Sequence, residues 1–343
     1  VPAMPIFATA RASALASSVP PRISRFGGMA KAPWLTIIGL GEDGLSGLSK
    51  ASQEVLKSAS IVTGAARHLD LLPNLTAETR VWPIPFADGI EPLLGLRGRS
   101  VVILASGDPF WFGAGSVLAR HLERTEWQAL PAPSVASHAA AHLGWPLEKT
   151  PVFGLHAAPL QRLRPALYAG ARLLVLLRDG EAVTKLAAYM TDLGFGASHL
   201  WVMEAMGGPR ERVRCTTADR LDFDDIHHPV CAALSVDGSG SPLPVSNGLL
   251  DDFFDHDGQI TKRPIRAITL STLAPLPGEH LWDIGAGSGA IGIEWMLGHP
   301  ANRTTAIEHN RERAARIRHN ADALGAGHLK LFEGNALEFL SSI

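Results

Sequence analysis

Asp283-Ile284-Gly285-Ala286-Gly287-Ser288-Gly289-Ala290-Ile291-Gly292 follows the strand-like run His280–Ile284 and opens a stretch of helical character. Glycines so closely spaced let the chain turn sharply and let the polar end of a ligand approach the backbone. Roughly 20 residues on, the next strand-like run, Thr304–Glu308, ends in an acid placed to accept hydrogen bonds from two ribose hydroxyls. A nicotinamide dinucleotide and S-adenosylmethionine both satisfy these facts. Asp283 separates them, because an acid just before the first glycine would repel a pyrophosphate but can act through water on a cationic methionine end.

The Asp283–Gly292 run resembles motif I of the class I methyltransferases, and Glu308 resembles the acid of their motif II. The resemblance implies cofactor contacts at Asp283, Gly285, Gly287, Glu308 and the neighbourhood of Asn335 and Ala336.

Around the motif the sequence is α/β throughout. Helices are predicted near Arg263–Leu273, from Ala290 and at Glu312–Leu324. Upstream, strand-length apolar runs stand at Leu35–Gly39, Ser60–Thr63, Val101–Ala105, Leu173–Leu177, His199–Met203 and Val230–Ser235. Amphipathic stretches such as Leu48–Lys57, Ser116–Glu123 and Glu181–Leu193 lie between them. Near 237–248 the composition turns to Gly, Ser and Pro, as in a linker. The expected organisation is therefore a leader at 1–32, an α/β domain at 33–240 with subdomains of about 33–145 and 146–240, a linker at 241–258, and a Rossmann-like domain at 259–343. A doubly wound sheet needs more than three strands to cover its faces, so the second domain reads as partial. Its apolar Leu281, Ile284, Ile291, Ile307, Leu331 and Phe332 are expected to lack cover.

A second glycine run, Gly39-Leu40-Gly41-Glu42-Asp43-Gly44, matches the dinucleotide pattern only formally. Glu42 and Asp43 would put two carboxylates into a phosphate cradle, and Ile61-Val62-Thr63-Gly64 stands where a ribose-binding acid belongs. A tight turn without a ligand remains the other reading. The segment Ala105-Ser106-Gly107-Asp108-Pro109-Phe110-Trp111-Phe112-Gly113 places small residues and a turn at a strand's C-terminal end, where α/β sheets bind ligands.

Taken in order with Pro131-Ala132-Pro133-Ser134-Val135, these runs resemble the tetrapyrrole methylase (class III methyltransferase) family. His156 near Pro159, and Glu204 to Arg214 with Gly207-Gly208-Pro209, look like its precorrin-6Y methylase branch. Gly258-Gln259-Ile260-Thr261-Lys262 before motif I resembles the decarboxylating half of enzymes that methylate C-5 and C-15 of a corrin precursor. The resemblance covers about 34–343. It implies an S-adenosylmethionine-dependent methylase, with first-domain cofactor contacts at Leu40, Asp108, Trp111, Ser134 and Val135, and substrate contacts at Thr261 and Lys262. It also implies a tetrapyrrole partner, a homo-oligomer, and a C-terminal domain that in the family runs past residue 343. His156-Ala157-Ala158-Pro159 departs from the branch's His-Gly-Arg-Pro, which removes a basic contact. An NAD(P)-dependent oxidoreductase, and a cofactor-binding module inactive in its partial C-terminal half, are the competing readings.

The bulk numbers agree with buried cores: 46% of the 343 residues are hydrophobic and 19% charged. A net charge of −2 leaves no nucleic-acid footprint, and no apolar run reaches the roughly 20 residues of a membrane span. Residues 1–32 hold Arg11, Arg22, Arg25 and Lys31 but no acid, and read as a disordered tail. Cys215 and Cys231, each in a strand-like stretch, fit core packing in a reducing cytoplasm and supply no metal spacing. His138 and His142 share a helix face but lack a third ligand, and His227-His228 fits a solvated loop. Trp111 between two phenylalanines suits either stacking on a macrocycle or packing of a lip.

Overall fold

The computed structural model describes residues 33–341, so the leader expected at 1–32 lies outside the described residues. The first sheet has five parallel strands: β1 (Leu35–Leu40), β2 (Ile61–Gly64), β3 (Glu78–Val81), β4 (Val101–Ser106) and β5 (Trp127–Leu130). Their order is β3-β2-β4-β1-β5. Connections from β1 and β4 leave in opposite directions, and between two such strands an α/β sheet opens a crevice at its C-terminal edge. Leu40 and Ser106 end those two strands in register.

Strand β1 is buried along its whole length, as a parallel strand covered on both faces must be. Its alternate residues serve different cores. Leu35 and Ile37 pack with Ile61, Val101 and Ile103 on one face, whereas Ile38 and Leu40 pack with Val62, Val102 and Leu104 on the other.

The second sheet combines β6 (Val152–Gly154), β7 (Arg172–Leu177), β8 (His199–Glu204), β9 (Arg212–Thr217) and β10 (Val230–Ser235) in the order β6-β7-β10-β8-β9. Only β6 and β7 run parallel; the other pairs are antiparallel. Strand β9 is an edge with one face toward solvent, so Cys215 is exposed there, against the expectation that both cysteines are core residues. Cys231, on central β10, is buried, and burial raises its thiol to about 12.

The third sheet is β11 (His280–Ile284), β12 (Arg303–Glu308) and β13 (Lys330–Glu333), parallel and in that order. The helix Ala290–Gly298 is buried on every side from Ala290 to Met296, and the helix Arg311–Ala323 buries Ala314, Ile317 and Ala321. Leu281, Ile291 and Ile307 are buried, so the expectation of uncovered apolar faces fails for these three, whereas Ile284, Leu331 and Phe332 are half-buried.

Contacts divide the chain into two compact units. One contains the strands up to Ala157 together with Arg172–Val236; the other contains Ala158–Ala171 and the chain from Asp237 onward. The stretch with linker composition therefore ends in packed chain: Leu249 and Phe254 join the third core. Among the described residues no helix is long and apolar enough to cross a membrane.

Candidate active sites

In the first unit a cavity of about 710 Å³ opens at the crevice between β1 and β4. Leu40, Trp111, Ser134 and Val135 all line it, so four of the five first-unit positions expected to meet a cofactor come together. The fifth, Asp108, lines an adjoining cavity of about 1040 Å³, into which Trp111 and Ser134 also reach. Its carboxylate accepts the Phe110 N–H at 2.8 Å, which closes the turn after β4. Ser134 caps the helix Val135–Leu143 by accepting from the Ser137 N–H.

The glycines of this site serve close backbone approach. A Cβ at Gly39 would lie 1.9 Å from the Gly107 carbonyl oxygen and 2.5 Å from the Ala132 nitrogen. Gly107 itself adopts φ +53° and donates its N–H to the Leu40 carbonyl. The loop after β1 is no phosphate cradle. It runs into a 3-10 turn at Gly44–Gly47 rather than an α-helix, Asp43 folds back over Gly47, and Glu42 is held by Arg67 and Arg210.

Sequence reasoning passed over Arg67, His68 and Arg178 among the cavity-lining groups and gave His228, also on the wall, no site role. Arg67 and His68 stand just after β2, a strand-end position that could have flagged them; His228 was read as a solvated loop residue. Its Nδ1 lies 2.7 Å from the Arg178 carbonyl oxygen. His156 lines the same cavity, as does His138, whose ring packs on Gly207. His142 faces Glu211 at 3.8 Å instead. Among the described residues no cluster of three or more His, Cys, Asp or Glu could hold a metal ion.

In the second unit the glycine loop joins β11 to the buried helix. Gly285, Gly287 and Gly289 all have positive φ, which a residue with a side chain adopts at a cost. Asp283 is buried and accepts the Gly292 N–H at 3.1 Å. Burial, and then the neighbouring Glu308, raise its carboxyl to about 6. Glu308 accepts from the Gly287 N–H and the Asn310 N–H, both at 2.9 Å. Its backbone carbonyl takes the Gly334 N–H, which brings Asn335 and Ala336 to the end of β12. Asn335 caps the helix Ala336–Ser341 through the Leu337 N–H.

The segment before this unit's first helix passes the same loop: a Cβ at Gly287 would lie 3.4 Å from the Gln259 carbonyl oxygen. Thr261 and Lys262 follow directly, with the Lys262 ammonium 3.7 Å from Asp251 and largely exposed. A buried ion pair, unread in the sequence, anchors this segment. Arg266 donates to Glu294 at 2.5 Å and to the carbonyls of Thr261 and Leu249, while Glu294 accepts from the Gly248 and Leu249 N–H groups. An Arg in a helix gives no sign in sequence of whether its partner lies in water or in a core.

Residues 34–222 match the tetrapyrrole (corrin/porphyrin) methylase family, and residues 252–343 match the precorrin methyltransferase domain. Both are methylases, which sets the nicotinamide reading aside. A decarboxylating precorrin-6Y C(5,15)-methyltransferase of Sinorhizobium sp is 46% identical over 314 residues, covering 91% of this chain and 76% of the relative. One of that name from Mycobacterium tuberculosis H37Rv is 37% identical over 298 residues, covering 85% and 74%. The crystal structure of the methyltransferase CobJ shares the fold at 18% identity, with a TM-score of 0.51 over 60% of this chain and 95% of that one.

Proposed function

The chain belongs to the family of decarboxylating precorrin-6Y C(5,15)-methyltransferases, and from that premise we propose that it methylates precorrin-6Y at C-5 and C-15 with loss of carbon dioxide from the ring C acetate. The observation that carries this reading within the molecule is the convergence of Leu40, Trp111, Ser134 and Val135 on one cavity at the β1–β4 crevice. S-adenosylmethionine supplies the methyl group on a cationic sulfonium. The residues present fit such a group in both units. In the first, Leu40, Trp111, Ser134 and Val135 line one largely apolar wall, and Asp108 shapes the turn beside it. In the second, Gly285 and Gly287 leave room at the backbone. Asp283 gives a carboxylate for a cationic amino-acid end, Glu308 has lone pairs left for ribose hydroxyls, and Asn335 and Ala336 close the far edge.

A meso carbon of a reduced tetrapyrrole is electron-rich and enamine-like. The protein's part is thus to hold the reacting atoms at about 3–3.5 Å in line and to exclude water. In this reading Thr261 and Lys262 take a substrate carboxylate; the exposure of the Lys262 ammonium supports it. We take the two methylase domains to be 33–240 and 259–343, working in a cytoplasmic homo-oligomer; sedimentation tests the assembly. The activity is tested by incubating the chain with precorrin-6Y and S-adenosylmethionine and weighing the product. The expected product carries two added methyl groups and lacks one carbon dioxide. A mass unchanged after exhaustive incubation would refute the proposal.

A further inference from the structure

Among the residues lining the 710 Å³ cavity Glu42 is the only acid, although acids outnumber Lys and Arg by 33 to 31 in the chain. That acid is neutralised twice, by Arg67 at 2.5 Å and by Arg210 at 3.0 Å. The trio keeps a net positive charge. Arg67 is aimed from two sides: Nη1 donates to Glu42 and Nη2 donates to the Ser106 hydroxyl, also at 2.5 Å. Ser106 directly precedes the Gly107–Asp108 turn, and its oxygen is also 3.0 Å from His68 Nε2. His68 is buried and kept neutral, its pKa lowered to about 3 by burial and then by Arg67. Two guanidinium groups, Arg67 and Arg178, are among the lining residues; Arg178 is largely exposed and lies beside Asp179, whereas Arg67 is about a third exposed and fixed in orientation beside the turn. A guanidinium held on two of its five donors retains others for an incoming oxygen pair.

Resting on the tetrapyrrole reading above, we propose that Arg67 is a specificity-determining residue that binds one carboxylate side chain of the macrocycle and so fixes which edge faces the turn at Gly107. A structural ion pair with Glu42 alone would not need the Ser106 bond, and would not need to sit on the cavity wall. The apolar remainder of that wall, including Trp82 and Phe112, suits the ring itself.

The test measures binding of the tetrapyrrole acid and of its methyl ester to the full chain by quenching of tryptophan fluorescence, which requires no turnover. The wild-type chain should prefer the acid. Arg67→Gln should shrink the acid-to-ester preference at least tenfold while S-adenosylhomocysteine affinity stays within twofold. A preference unchanged within twofold would overturn the proposal. If Arg67→Gln does not fold, the ratio is read on Ser106→Ala, which frees one of the two bonds that aim Arg67. There a drop of at least threefold supports the assignment and an unchanged ratio overturns it. Absence of methyl transfer by the wild type, with the binding ratios as expected, would sink the proposed reaction and leave the carboxylate site standing.

Discussion

Replacing Asp283 by Asn should stabilise the second unit at neutral pH while weakening its grip on the cofactor. The carboxylate is 5% exposed and has one hydrogen-bond donor, the Gly292 N–H. Burial and Glu308 raise its pKa from the ordinary 3.8 to about 6. A raised acid is protonated more readily in the folded than in the unfolded chain, so it costs nothing below about pH 4. The cost grows as pH rises through 4 to 6 and is complete above 6. At about 1.4 kcal/mol per pH unit, that gap amounts to about 3 kcal/mol at pH 8. Asn keeps an oxygen for the Gly292 N–H but carries no charge, so Asp283→Asn should gain up to about 3 kcal/mol at pH 8 and only about 1 kcal/mol at pH 4.5. The same substitution removes the anion facing a cationic amino-acid end, and S-adenosylhomocysteine should bind about tenfold more weakly, as for a lost charged hydrogen bond. Urea unfolding at the two pH values, followed by hydrogen exchange of peptides spanning β11 and β12, compares variant with wild type so that other titrations cancel. An equal effect at both pH values, or a destabilised variant at pH 8, would refute the reasoning.

Gly39→Ala should destabilise the first unit by about 3 kcal/mol, because its Cβ meets two backbone atoms that cannot move aside cheaply; a thermal melt like that of the wild type would contradict this. Arg266→Met should cost about 3–5 kcal/mol in urea titration by leaving the Glu294 charge buried without its cation, whereas Arg266→Met with Glu294→Gln, which keeps an acceptor oxygen but no charge, should recover part of the loss. A double variant as unstable as the single one would show that the pair's worth lies elsewhere.

Much of this protein was legible in the residue order alone. Strands β1, β2, β4, β7, β8, β10 and β12 announce themselves as apolar runs because each lies between two neighbours inside its sheet. Short edge strands such as β3, exposed along its length, bury too little to leave a pattern. The glycine loop after β11 is visible because positive φ restricts the residue type at each turn, a local constraint written locally. The family resemblance brought Leu40, Trp111, Ser134 and Val135 forward for the same reason, since they belong to turns at strand ends. What only the tertiary structure decided is which distant side chains meet. Glu42 with Arg67 and Arg210, Ser106 with His68, and Arg266 with Glu294 lie 25 to 168 residues apart. It also decided that Asp108 spends its carboxylate on its own turn, that Cys215 faces solvent, and that Ala158–Ala171 packs with the second unit. Charge pairing and burial depend on through-space distance and on the loss of water. Neither quantity has a period in the chain, so it becomes readable only when the sheets and helices have brought those residues together.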